Sequence, residues 1–312
     1  MKKHNYFDSP AIGSSLLSSF IQSPDHALMK TTASNYMERG RIWEDLIEYM
    51  ITEDEKKFKQ KYYLSELEKF PTSTTYSSIP DIMDNENVVQ TISNGYIYNK
   101  LKKGEKKPSL NRLHATRHSL LDEIKVNGYK KPIPKECWEK LLKMWENFQK
   151  AHYKGRNIVS LLKGLDDVKF QTEHYWKDML CGAECRMKSD IEATYSTKEG
   201  RKGIIFDIKW TSNMSDYGNS RFRWQDRHYT TGYGRKCRQN DIEPPPSMIF
   251  LISEYKEPYL TYIWSLDDYQ GITENQSDYQ AHVEQCGQWI DAGKPLKGYK
   301  EQTVNKYFRP NN

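Results

Sequence analysis

Two carboxylates and an amine on adjoining polar–apolar alternations are the residues of this sequence best suited to chemistry. Asp207, Ile208 and Lys209 stand in the run IIFDIKW. If that run is a strand, Asp207 and Lys209 leave it on one face and Phe206, Ile208 and Trp210 on the other. A carboxylate and an ammonium two residues apart on a rigid strand are half of what phosphodiester cleavage needs. The carboxylate holds a hard divalent cation, and the lysine orients or deprotonates the attacking water. The Ile208 carbonyl lies between them as a further oxygen ligand. Asp190, on the polar side of the preceding alternation, supplies a second carboxylate, and a hairpin-like pairing brings it to the same metal. D-x-K alone is more often a chance surface pair, so its company decides.

That company comes from two helical spacings. Gly40 and Glu44 are four apart and share a helix face. A glycine there lets the helix approach the sheet so that Glu44 reaches the metal, although taken by itself a solvated Glu beside Asp45 is the commoner reading. Gln225 and Tyr229 are also four apart, surrounded by Arg221, Arg223 and Arg227. Such a face can meet phosphates and a stacked terminal base. It can equally be an amphipathic helix with Trp224 and Tyr229 in the core.

The elements that must position these residues follow from periodicity. Ser14 or Ser15 can cap a short helix with Leu16, Leu17, Phe20 and Ile21 at helical spacing, stopped by Ser23-Pro24. A second helix over about 38–50 carries Ile42, Trp43, Leu46, Ile47 and Met50 inward. A third begins near Pro134, with Trp138, Leu141, Leu142, Trp145 and Phe148 as its stripe. From about 171 the period becomes two. Cys185, Met187, Ser189, Ile191 and Ala193 fall on one side, and Glu184, Arg186, Lys188, Asp190 and Glu192 on the other. IIFDIKW is the next strand, and a helix covers about 220–238. The strands SMIFLISEY and YLTYIW flank a turn at 256–258, and a last helix covers about 276–292. This order implies a mixed sheet with helices on both sides.

Composition excludes other classes. Tyr at 22 and Trp at 8 are too many rings for a solvated coil, despite a mean hydropathy of −0.90. No apolar run reaches membrane length and the first residues lack a signal peptide's apolar region, so a cytoplasmic chain without membrane contact is expected. Five cysteines at irregular spacing suit free thiols. A zinc site at Cys181, Cys185 and His174 is a weak alternative. No GxxxxGK[ST] loop marks a nucleotide-driven motor. The net charge of +5 is concentrated: eleven Lys/Arg against three acids between Lys100 and Lys135, and six against one between Arg221 and Arg238. Such clusters suit a polyanion.

Taken together, G-x-x-x-E at Gly40–Glu44, the strand with Asp190, IIFDIKW, and Q-x-x-x-Y at Gln225–Tyr229 resemble the RecB-like PD-(D/E)XK nucleases in kind and order. CRMKSDIEA, GIIFDIKWT and FRWQDRHYTTGY look especially like phage and prophage recombination exonucleases of the exonuclease VIII group, and IGSSLLSSFIQSPDHALMK resembles that group's first helix. The resemblance covers about 10–50 and 170–235.

It implies an α/β fold with a restriction-endonuclease-like core. One nuclease domain would span 1–312, with a helical, basic insertion over 51–165 and the catalytic sheet and helices over 166–292. It also implies Mg²⁺ or Mn²⁺ held by Asp190, Asp207, the Ile208 carbonyl and Glu44, with Lys209 activating water. Gln225 and Tyr229 would lie beside the substrate and Glu173 behind the ligands, while Arg223 and Arg227 are substrate-binding candidates from their place around that helix face. The expected activity is 5′ to 3′ hydrolysis at duplex DNA ends; the alternatives are a structure-specific or restriction-type endonuclease on the same core, or a catalytically inactive DNA-binding module. The expected partners are a single-strand annealing protein and further copies of the chain in a ring. Many members carry His where Glu44 stands, which puts that residue's role in question. Iron–sulfur members have Cys-Pro after the first helix and a late Cys triplet; here Ser23-Pro24 and Cys286 stand alone, so no cluster is expected.

Overall fold

The amino-terminal third supplies helices whose apolar stripes have to find a partner. In a computed structural model, residues 9–28, 35–65, 123, 125–128, 130–212, 219–266 and 276–294 are described. The elements begin with α1 (Ser14–Gln22), α2 (Pro24–Leu28), α3 (Asn35–Thr52) and α4 (Glu55–Lys61). Strand β1 (Tyr62–Leu64) pairs in parallel with β2 (Lys131–Ile133). Helix α5 (Lys135–Phe148), the hairpin of β3 (His152–Tyr153) and β4 (Arg156–Asn157), and α6 (Ile158–Lys163) follow. The sheet comes next: β5 (Asp166–Lys177), β6 (Glu184–Thr197) and β7 (Gly200–Thr211). Helix α7 (Asn219–Gln239) then leads to β8 (Ile249–Glu254), β9 (Thr261–Ser265) and α8 (Gln276–Asp291).

The protein is a mixed α/β structure around a five-stranded sheet ordered β5-β6-β7-β8-β9. All neighbours are antiparallel except β7 and β8, which run parallel with α7 as the crossover. A parallel strand with helices on both sides is buried on both faces, which is why MIFLIS reads as an unbroken apolar run. Ile249 and Leu251 face one layer, and Phe250 and Ile252 the other.

The first layer is α3, α5 and α6. Ile42, Trp43, Leu46 and Ile47 of α3 join Leu141, Met144 and Phe148 of α5 and Ile158 and Leu162 of α6. These pack on Ile191, Phe206, Ile208, Ile249 and Leu251 of the sheet. Side chains between 131 and 163, within the expected helical, basic insertion, thus contribute to the core on the sheet; 66–122, which hold much of the basic stretch that begins at Lys100, including Lys102, Lys103, Lys106 and Lys107, lie outside the described residues. Within α5, Met144 rather than Leu142 completes the stripe, since Leu142 is exposed. Asn157 starts α6 by accepting from Val159 N–H and Ser160 N–H, both at 3.1 Å. Helix α1 has no such cap. Its N-cap is Gly13 rather than Ser14 or Ser15, and the chain before it is fixed by Ile12, which bonds Glu184 and Arg186 at 2.8 and 2.9 Å along β6.

The second layer is α7 and α8. Phe222, Tyr229, Tyr233 and Cys237 of α7 pack on Met187, Ile205, Phe250 and Ile252. Gly232 permits that approach: a Cβ there would stand 2.6 Å from Met187 Sδ and 2.7 Å from Trp176. Two buried polar residues fix α7 lengthwise. Asp226 Oδ1 accepts from Met248 N–H at 2.6 Å and Ser247 Oγ–H at 2.8 Å, at the entry to β8. His228 donates from Nε2 to the Arg186 carbonyl at 2.8 Å and accepts the Tyr279 hydroxyl at Nδ1 at 2.9 Å. Burial pulls its imidazole down to about 4, so it is neutral, as that bonding pattern requires. All five cysteines are free. Among the described residues no helix is long and apolar enough to cross a membrane.

Candidate active site

The sheet forks where the candidate residues lie. Pairing of β6 with β7 runs from Thr197↔Gly200 to Ile191↔Phe206. One step further in that register Asp190 would stand opposite Asp207. There Asp190 replaces the backbone partner: its Oδ2 accepts the Ile208 N–H at 2.7 Å. From that point β7 continues along β8 to Thr211↔Glu254, while β6 continues along β5.

A phase slip accompanies the fork. On β6, Met187 packs toward α7, and Ser189 bonds Glu192 on that same side at 2.5 Å, yet Ile191 packs toward α3. On β5, Phe170 packs toward the α3 layer and Trp176 toward α7. Asp190 and Gln171 occupy the slip, between the pairs Phe170↔Ile191 and Thr172↔Ser189. Gln171 has a φ of 52°. That left-handed conformation is uncommon for a residue with a long side chain and marks a local irregularity in the strand. The unbroken alternation expected for β6 is thus interrupted. Glu192, expected on the polar side, is buried under α7 among His174 (2.5 Å), Ser189 (2.5 Å) and Lys236 (3.0 Å). Burial alone would raise its carboxyl, but those donors hold it below the usual range.

The slip and the fork collect one constellation. Lys209 Nζ stands 2.5 Å from Asp207 Oδ2. Asp207, 2% exposed, also accepts from Gln225 Nε2 at 2.6 Å through Oδ1. Gln171 Nε2 lies 3.2 Å from Asp190 Oδ1 and 3.5 Å from Glu44 Oε2. The expected residues Asp190, Asp207, Lys209, Glu44 and Gln225 are therefore together, and the shared face of Asp207 and Lys209 is as the alternation requires. Gly40 is not needed for a close approach, since a Cβ there would meet Trp210 Cβ at an ordinary 3.8 Å.

The remaining expected residues have other described surroundings. Tyr229 is buried in the α7 layer. Arg223 lies over the Trp224 ring, 4.2 Å from its centroid, and Arg227 is half-buried one turn further along α7. Glu173 is exposed and faces Lys188 at 3.9 Å. The β5 residue that reaches the carboxylates is Gln171, which periodicity did not single out.

Crowding of like charge dominates the electrostatics. Burial, then the Asp207 charge, pushes Asp190 up to about 7. Burial and the Asp190 charge raise Glu44 well above the carboxylate range. Asp207 is raised by burial, against the pull of Lys209 and Gln225. Lys209 is pulled down by burial, but Asp207, Asp190 and Glu44 outweigh that and leave it above its ordinary value. Among the described residues the three carboxylates thus gather around the Lys209 ammonium, a deficit of positive charge that a divalent cation would relieve.

The donor set fits such an ion in kind. Carboxylates and a carbonyl are hard oxygen ligands, and Mg²⁺ needs only one or two of them beside water and phosphate. Among the described residues no three of His, Cys, Asp and Glu stand at metal-chelating spacing. In the conformation described, Asp207 is turned onto Lys209 and Asp190 onto the Ile208 N–H.

No family model matches the chain, and no curated protein does. Among solved structures it is similar to the crystal structure of SSO0001, at 9% identity and a TM-score of 0.28, covering 72% of this chain and 95% of that one. A likeness at that level carries no functional argument.

Proposed function

We propose that the chain is a divalent-cation-dependent exonuclease with a restriction-endonuclease-like, PD-(D/E)XK core, acting on duplex DNA ends in the 5′ to 3′ sense. The observation that carries this reading is the meeting of Asp190, Asp207 and Lys209 where β6 and β7 part. Groups carried on rigid strands are held in a fixed mutual orientation, where a loop would leave them poorly aligned. The order of motifs supports the assignment, as does the concentration of Lys and Arg in the chain. The implied annealing partner and ring of copies belong to the same proposal.

A cation at Asp190, Asp207 and the Ile208 carbonyl, with Glu44 as a further ligand, would supply Lewis acidity toward the phosphate and acidify a bound water. Gln225 holds Asp207 Oδ1 and so aims Oδ2 at the reacting centre. Lys209 keeps its proton while the carboxylates around it are ionised. Its role in that state is to donate: it orients the attacking water and steadies charge on the phosphoryl oxygen. Arg223 and Arg227 on α7 are the cations nearest in sequence for the DNA backbone.

Linear duplex labelled at either 5′ or 3′ termini tests the proposal. With Mg²⁺, 5′ label is expected to leave as short products while 3′ label stays in long strands. Covalently closed circles should stay intact, and chelator should stop all loss. Nicked or linearised circles would instead make the enzyme an endonuclease on the same core. Complete inertness with Mg²⁺ and Mn²⁺ would leave a DNA-binding module.

A further inference from the structure

Gln171 stands where an ordinary β residue would not reach. Its left-handed φ of 52° sits in the phase slip of β5, and that slip carries its side chain between two carboxylates from different elements. One nitrogen, Nε2, lies 3.2 Å from Asp190 Oδ1 on β6 and 3.5 Å from Glu44 Oε2 on α3. An amide nitrogen carries two hydrogens, so it can serve both oxygens at once. Asp190 Oδ2 is already engaged by the Ile208 N–H, so the two contacts together fix the plane of the Asp190 carboxyl. For Glu44, a long side chain on a helix, the Gln171 amide is a longer contact reaching it from β5.

We infer that Gln171 is a positioning residue that sets the separation and orientation of the Glu44 and Asp190 carboxylates, and through them the affinity of the site for a divalent cation. The inference rests on the cation-dependent reading above. It concerns a residue outside that reading's ligand set, and it assigns the backbone irregularity of β5 a purpose. A carboxylate oxygen can accept a hydrogen bond with one lone pair and coordinate with the other, so the amide can remain in place when a cation enters. Loss of such outer partners typically weakens metal affinity by about 10–100-fold.

Gln171→Asn separates the side chain's reach from the backbone. Asn tolerates left-handed φ better than most residues, so the slip is kept while the shorter amide withdraws from Glu44. Gln171→Gly keeps the backbone and removes the amide. The readout is Mn²⁺ binding to the DNA-free full chain at pH 8, followed by calorimetry, with thermal unfolding measured alongside. Both variants are expected to unfold near the wild-type temperature without metal, and to bind Mn²⁺ about tenfold or more weakly. Wild-type affinity in both folded variants would overturn the inference and leave the nuclease reading intact. A wild-type chain that binds no Mn²⁺ would overturn both. If Gln171→Asn unfolds early, Gln171→Gly alone decides, and undiminished affinity in it counts against the inference.

Discussion

Lys209→Ala is expected to lower the single-turnover rate of DNA hydrolysis by about 10²–10⁴-fold while leaving cation binding in place. The ammonium touches Asp207 Oδ2 at 2.5 Å and is the positive charge that, among the described residues, acts on Asp207, Asp190 and Glu44. Its removal from the cation-free protein leaves Asp207 almost wholly buried with Gln225 as its remaining side-chain donor, so the carboxyl takes up a proton. A divalent cation reverses that by restoring positive charge. The variant should therefore gain more thermal stability from Mn²⁺ than the wild type does, although it hardly cuts. Asp207→Asn should behave oppositely, losing cutting and cation response together. A Lys209→Ala enzyme that cuts within tenfold of wild type would remove Lys209 from the chemistry.

Asp226→Ala should be the most damaging single change outside the site. The carboxylate is wholly buried and accepts the Met248 N–H at 2.6 Å and the Ser247 hydroxyl at 2.8 Å. Truncation leaves both donors without water at the start of a strand buried on both faces. A cost of about 2–5 kcal/mol follows from an unpaired buried polar group beside lost charge-assisted bonds. For a chain of this size that lowers Tm by on the order of 10 °C. The residue before it is Gln225, so loosening of α7 also releases the 2.6 Å bond that orients Asp207. Scanning calorimetry of Asp226→Ala beside Asp226→Asn checks this, because Asn retains an acceptor and should lose less. An unchanged Tm in Asp226→Ala would show that the Asp226 bonds to β8 do not hold α7 in place.

The carboxylate and amine of β7 were legible in the sequence because strand alternation is a local rule, and Asp207 and Lys209 obey it. The helices were legible from their apolar stripes: α3, α5, α7 and α8 fall where periodicity expects them, to within a few residues at each end. What stayed hidden was the slip. Val168, Phe170 and Trp176 share one parity, as do Met187, Ser189 and Ile191, so each run reads as a single uninterrupted face. The structure divides both runs at Gln171 and Asp190, sending Phe170 and Ile191 to α3 and Trp176 and Met187 to α7. An irregularity between equal parities leaves no trace in a polar–apolar pattern. The same blindness made Glu192 look solvated, although a His, a Ser and a Lys from three different places bury it. Tyr229 presents the reverse problem. Its spacing from Gln225 puts the two on one helix face, but that face turns from the site into the core within one turn.

The most direct measurement is an anomalous difference map from crystals of the full chain grown with Mn²⁺ in place of Mg²⁺. A peak is expected in the β6–β7 fork, about 2.0–2.3 Å from an oxygen of Asp190, an oxygen of Asp207 and the Ile208 carbonyl, with Lys209 released from Asp207. A fork left empty at saturating Mn²⁺, with Lys209 still on Asp207, would contradict the cation-dependent reading.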